Sequence, residues 1–102
     1  MTKKLHIDTL CVQAGYNPTK GEPRQVPIIQ STTFKYDTSE QMGKLFDLEE
    51  NGYFYTRLQN PTNDTTAAQI AAMEGGVAAM LTSSGQAANF FACFNICQAG
   101  DH

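Results

Sequence analysis

Leu81-Thr82-Ser83-Ser84-Gly85-Gln86-Ala87-Ala88 is the stretch that decides the fold: an apolar run turns through small polar residues directly into an amphipathic helix. The first N–H groups of such a helix have no intrahelical partner. With the positive end of the helix dipole they face whatever anion sits in the turn. Gly85 lets that anion come close to the backbone. The same Ser-Ser-Gly also serves as an ordinary N-cap, so on these residues alone a phosphate cradle and a plain helix start both stand.

Upstream, Tyr53-Phe54-Tyr55-Thr56-Arg57-Leu58-Gln59-Asn60-Pro61-Thr62 is an aromatic cluster that carries one Arg and ends in a helix-start signal. Arg57 offers a planar, permanently charged fork suited to phosphate. On an extended chain the Tyr55 hydroxyl, two residues away, points to the same side. A half-buried strand with packed aromatics and a solvated Arg fits the same residues.

Around these two segments the chain reads as an irregular first half and a regular second half. Ile7 to Ala14 suits a short helix, and Gly15 to Pro27, with its three prolines and two glycines, is loop or extended arm. Val26 to Tyr36 is rich in β-branched and aromatic residues and is expected to be extended. Thr38-Ser39-Glu40-Gln41 caps a helix running to about Glu50, with Gly52 as its stop. Pro61 opens a helix of about a dozen residues that Gly75-Gly76 ends. Val77 to Thr82 is then expected as a buried strand, Ala87 to Gln98 as an apolar helix, and Gly100-Asp101 as the turn before the next parallel strand. The sequence therefore stops between elements of a βαβ unit and is expected to be the front fragment of a longer protein. A domain of 102 residues buries roughly two-thirds of its unfolded surface. This one is expected to leave its last helix uncovered and to be unstable or associated when alone.

Composition narrows the function classes. A net charge of −3 with 17% charged residues gives no basic stripe for nucleic acid. No apolar run approaches the ~18 residues of a membrane span, and Met1-Thr2-Lys3-Lys4 leads into polar residues, so a cytoplasmic protein is expected. Three cysteines argue against a disulfide framework. Cys93 and Cys97, four apart on the last helix, are expected as small buried hydrophobes. His6 and His102 are too isolated to suggest a metal site, and Asp47, Glu49 and Glu50 read as a solvated helix end. The hydroxyls of Gln30 to Thr33 either line a site or simply face solvent.

Taken together, these segments resemble the pyridoxal-phosphate enzymes of cysteine and methionine metabolism, the family of cystathionine γ-synthase, methionine γ-lyase and O-acetylhomoserine sulfhydrylase. The resemblance runs over nearly the whole chain: Ala14-Gly15-Tyr16, Val26 to Phe34, Tyr55-Thr56-Arg57 with Asn60-Pro61-Thr62, Met73-Glu74-Gly75-Gly76, Ser83-Ser84-Gly85-Gln86-Ala87 and Ala99-Gly100-Asp101-His102. Gly21-Glu22-Pro23-Arg24, Lys44 to Glu49 and Gln86 look like the O-acetylhomoserine sulfhydrylase branch, since the γ-lyases usually carry Met at that last position. Asn63, Asp64, Thr65 and Thr66 depart from the family, which commonly has apolar residues there, and this is expected to weaken the first helical turn.

The resemblance implies an α/β fold: an N-terminal arm over residues 1–59, then from residue 60 the start of the large cofactor domain of a fold-type I enzyme, a mixed, mostly parallel sheet between helices. It implies pyridoxal 5'-phosphate as cofactor, with the backbone N–H groups of Gly85 and Gln86 on its phosphate. Tyr55 and Arg57 would reach the same phosphate from the neighbouring subunit of a homo-oligomer, usually a tetramer. The implied reaction replaces the acetate of O-acetylhomoserine by sulfide to give homocysteine; γ-elimination and cystathionine synthesis are the alternatives within the family. The Schiff-base Lys, the carboxylate facing the pyridinium and the stacking aromatic ring are expected beyond His102, so no catalytic residue is assigned. A contrasting reading makes the chain an inert or subunit-binding module.

Overall fold

The computed structural model describes residues 5–102; residues 1–4, with Lys3 and Lys4 of the expected tail, lie outside that range. Along the described residues run α1 (Ile7–Gln13), α2 (Ser39–Phe46), α3 (Pro61–Glu74) and α4 (Gly85–Ile96).

α1 begins where the His6 imidazole accepts the Asp8 N–H at 3.3 Å, and it packs on α3. The Gln69 amide donates to the Cys11 carbonyl at 2.5 Å and the Leu10 carbonyl at 3.4 Å, and Cys11 Sγ lies 3.3 Å from Met73 Sδ. Just beyond α1, Gly15 has a φ of +83° and presses on the α3 backbone. The arm that follows folds on itself: the Tyr16 hydroxyl donates to the Pro23 carbonyl at 3.0 Å, and the Glu22 carboxylate accepts the Thr19 N–H at 2.6 Å. That bond from the Thr19 backbone, with a lesser one from its side chain, holds the Glu22 carboxyl below its usual pKa.

α2 is capped at Thr38, whose hydroxyl accepts the Gln41 N–H at 3.1 Å, while the Gln41 side chain accepts the Asp37 N–H at 2.8 Å. This is the reciprocal logic of a capping box. The helix ends at Phe46, a turn earlier than Glu50. Leu48 takes a φ of +59°, and the N–H groups of Glu49 and Glu50 turn back to the Lys44 carbonyl. Gly52 is not the stop. Its missing side chain instead makes room for the buried Leu45, whose Cδ2 would lie 2.9 Å from an added Cβ.

α3 forms as its signals predict. Asn60 accepts the Thr62 N–H at 2.9 Å, Pro61 opens the helix, and Gly75 closes it at a φ of +69°. The polar opening does not unravel the first turn. The Thr65 and Thr66 hydroxyls donate back to the Pro61 and Thr62 carbonyls at 2.8 and 3.0 Å.

The expected strand is absent: among the described residues no β-strand forms, and the α/β sheet is not present in them. Pairing is confined to an isolated antiparallel bridge between Thr33 and Tyr55, flanked by bonds from Phe34 N–H to the Phe54 carbonyl and from Thr56 N–H to the Thr32 carbonyl. Residues 77–82 carry the right apolar side chains, but a strand exists only against a partner, and no described segment pairs with them. Val77 and Met80 stay exposed.

Burial also falls short of the expected two-thirds. The accessible surface is 9005 Å² for 11.2 kDa, where a folded monomer of that mass exposes about 5,700 Å², so less than half of the unfolded surface is covered. The radius of gyration, 16.9 Å, likewise exceeds the roughly 13 Å of a compact 100-residue domain. Leu45, Phe54 and Ala71 are the buried apolar residues, and α4 contributes none. Cys93 and Cys97 are exposed, not buried: Cys93 lies on α4, which has no buried residue, and Cys97 is its extended C-cap.

Candidate functional site

Ser84 fixes the start of α4 twice over. Its hydroxyl accepts the Ala87 N–H at 3.1 Å and its carbonyl accepts the Ala88 N–H at 3.1 Å; the Thr82 hydroxyl also donates to that carbonyl at 2.9 Å. The N–H groups of Gly85 and Gln86, at the first two helical positions, are left facing outward with the positive end of the dipole. Gly85 has no positive φ, and a Cβ built on it meets nothing within 4 Å. Neither backbone conformation nor packing in this chain requires glycine there. What remains is room for something to approach the two N–H groups from outside.

Tyr55 and Arg57 do share a side, though not by the extended geometry expected. After Tyr55 the chain turns, with the Leu58 and Gln59 N–H groups both donating to the Tyr55 carbonyl at 3.0 and 3.1 Å. The turn swings the Arg57 guanidinium over the Tyr55 ring, 5.1 Å from its centroid, in a cation–π stack. The ion pairs among the described residues join Lys44 to Glu50 and Lys35 to Asp37, with the His6 imidazole against Asp8; none takes up Arg57. Its charge stays available to a ligand.

The pair forms the wall between two hollows. On one side a depression of about 370 Å³ is lined by Ile29–Thr32 with Tyr55, Thr56 and Arg57, so Gln30, Ser31 and Thr32 do stand beside the candidate anion grip. On the other, about 640 Å³ opens among Phe34, Phe46, Phe54 and Leu58, with Thr33 on this side. Both hollows are lined by Tyr55 and Arg57 without Gly85 or Gln86.

A residue read from the sequence only as a helix start and part of a family motif organises the Tyr55–Arg57 half of the site. Asn60 is only 3% exposed, and its amide donates to the Ile29 carbonyl at 3.0 Å and to the Thr56 hydroxyl at 3.1 Å. Thr56 donates in turn to the Ser31 carbonyl. Thr62 completes the join, accepting the Ile29 N–H at 3.0 Å and donating to the Pro27 carbonyl at 2.7 Å. An Asn before a Pro signals a cap; nothing local signals its reach to Ile29. Nearby, the surroundings of Tyr53 shift its titration. Burial, and after it the Asp64 carboxylate, pushes its phenol above the ordinary value.

Comparison with known proteins places this geometry. A family model described as Cys/Met metabolism PLP-dependent enzyme matches residues 8–102. The O-acetyl-L-homoserine sulfhydrylase 1 of Thermus thermophilus is 43% identical over 102 residues, covering 96% of this chain and 24% of that protein. The homocysteine/cysteine synthase of Kluyveromyces lactis is 43% identical over 99 residues, covering 95% of this chain and 22% of its own. The L-methionine gamma-lyase of Fusobacterium nucleatum is 44% identical over 101 residues, 99% of this chain and 26% of that one. A crystal structure from Campylobacter jejuni that carries N'-pyridoxyl-lysine-5'-monophosphate superposes with a TM-score of 0.86 at 35% identity, over 95% of this chain and 23% of that one. The chain thus spans about a quarter of the length of the relatives it matches. Over that span it belongs to the Cys/Met-metabolism family of pyridoxal-phosphate-dependent enzymes.

Proposed function

We propose that this chain is the front part of a pyridoxal-phosphate-dependent O-acetylhomoserine sulfhydrylase, which replaces the acetate of O-acetylhomoserine by sulfide to give homocysteine. The observation that carries the proposal is the donor set: two outward N–H groups at Gly85 and Gln86 with open space at Gly85, and a guanidinium stacked on a tyrosine with no carboxylate beside it. A phosphate dianion needs more donors than one helix end offers, and this set fits it. When bound, pyridoxal phosphate supplies an electron sink for the amino acid's carbanion.

This chain's residues hold and orient. The N–H groups of Gly85 and Gln86 would donate to the cofactor phosphate, Arg57 would add a charge-assisted fork and Tyr55 a hydroxyl. In this reading, which the family resemblance supports, Tyr55 and Arg57 serve the site of a neighbouring subunit in a homo-oligomer. In the same reading the arm is residues 1–59 and the cofactor domain starts at residue 60, where residues 77–82 pair into its sheet once strands lie beside them.

Gln86 and the sulfhydrylase relatives favour γ-replacement; the γ-lyase relative keeps methionine elimination as the second reading. The test is a comparison of two assays on the purified full-length protein. Homocysteine formed from O-acetylhomoserine and sulfide, well in excess of methanethiol released from methionine, is the expected result. The reverse ratio would move the protein to the lyase branch, and no adduct at a Lys after borohydride reduction would remove the cofactor from the reading altogether.

A further inference from the structure

We infer that Thr56 and Asn60 form a positioning clamp that sets the Tyr55–Arg57 pair for its anion. The inference rests on the phosphate-binding reading above and gives these two residues a part in it that packing alone would not.

Thr56 is the residue between the two ligand-facing side chains, and it is held on three sides. Its N–H donates to the Thr32 carbonyl at 2.9 Å, its hydroxyl donates to the Ser31 carbonyl, and the same hydroxyl accepts from Asn60 at 3.1 Å. The turn that follows is closed only by bonds to the Tyr55 carbonyl, which are local and fix nothing relative to the rest of the molecule. The cation–π stack orients Arg57 against Tyr55, again locally. Against the body of the protein the segment is tied on both sides of Tyr55: the Phe54 carbonyl accepts the Phe34 N–H at 3.2 Å, and Thr56 is the tie nearest Arg57.

Asn60 connects that residue to both neighbours. Its Oδ1 caps α3 through the Thr62 N–H, while its two amide hydrogens go to the Ile29 carbonyl and the Thr56 hydroxyl. The side chain of a residue that is 3% exposed makes three hydrogen bonds, each to a different element: helix, arm and turn. Neither Asp, with no donor, nor Ala, with neither group, can replace it. A guanidinium fork grips phosphate only within narrow limits of distance and angle, and the buried Asn60 with the half-buried Thr56 joins the turn that carries it to the helix.

A merely structural role predicts lost stability without a selective loss of cofactor. The experiment uses full-length protein stripped of cofactor, titrated with pyridoxal phosphate and followed by its absorbance, alongside thermal melts. Thr56→Val, which keeps the shape and removes the hydroxyl, is expected to raise the dissociation constant roughly tenfold, the low end of what losing an orienting partner costs at a bound group. Asn60→Asp, which keeps the cap acceptor, is expected to do the same, and Thr56→Ser to restore the parent affinity. Thr62→Val removes the tie to Pro27 and Ile29 without touching Thr56, and is expected to lower the melting temperature while leaving cofactor affinity unchanged. The clamp is overturned if Thr56→Val or Asn60→Asp binds the cofactor as tightly as the parent, if Thr56→Ser fails as badly as Thr56→Val, or if Thr62→Val weakens the cofactor equally. Arg57→Ala separates the two levels. If it weakens binding while Thr56→Val does not, the clamp alone fails; if Arg57→Ala changes nothing, the phosphate reading fails and takes the clamp with it.

Discussion

Gly15 sits so close to Gln69 that a methyl group on its α-carbon would lie 2.8 Å from the Gln69 backbone nitrogen, with the Thr65 carbonyl closer still. The glycine also holds a φ of +83°, a region that side chains disfavour. Its neighbours are helical backbone and cannot step aside. Gly15→Ala is therefore expected to destabilise the protein by about 2 kcal/mol or more, through strain and through separation of α1 from α3. Chemical denaturation of the full-length protein measures this, and a loss under about 0.5 kcal/mol would mean that the arm simply lifts away.

Gly85 gives the opposite expectation. An added Cβ meets nothing and the backbone is helical, so Gly85→Ala should leave the cofactor-free protein as stable as before or slightly more so. Cofactor affinity should fall, because the methyl occupies the approach to the Gly85 and Gln86 N–H groups. Parallel melts and pyridoxal phosphate titrations separate the two effects. Unchanged affinity would show that the phosphate does not come in over this glycine.

The signals that survive from sequence to structure are local ones. Thr38, Asn60-Pro61, Gly75 and Ser84 each act within a turn of their own position, and each caps or ends a helix where expected. The failures are non-local. Residues 77–82 have strand composition, but pairing depends on chain elsewhere; α2 ends at Phe46, and the chain beyond it turns through a left-handed Leu48 that no composition rule favours. The candidate site divides in the same way. The helix start at Ser84-Gly85 was legible, and so was the sidedness of Tyr55 and Arg57, although a turn and not a strand delivers it. The grip of Asn60 on Ile29 was not, because it joins residues 31 apart through a buried amide.

Tyr53 makes the alkaline limb of stability informative. Burial first, and the Asp64 carboxylate second, raise its pKa above the ordinary 10.0. The folded protein then keeps a proton that the unfolded chain has already released. The stability linked to Tyr53 is thus intact below pH 10 and is lost as pH rises through the raised folded value. Tyr53→Phe is expected to flatten this loss. Asp64→Asn should lower the Tyr53 pKa only in part, since burial is the larger cause. Ultraviolet titration reads both, and a Tyr53 that ionises at or below the ordinary 10.0 would contradict the assignment.

The bonds from Asn60 to Ile29 and from Thr62 to Pro27 close loops of 31 and 35 residues, and α2 lies wholly within them. Closure entropy grows slowly with length, about 0.6 kcal/mol for each doubling. A short Gly-Ser insertion between Glu50 and Asn51 is expected to disturb the packing of α2 on Phe54 yet leave pyridoxal phosphate affinity within about threefold of the parent. A larger loss in a titration would mean that α2 itself braces the anion grip. On that expectation, chain length between Phe34 and Phe54 is uncoupled from the placement of Arg57. That stretch is the natural spot for lengthening, decoration or the grafting of a new surface element, while the residues that meet the anion stay in register.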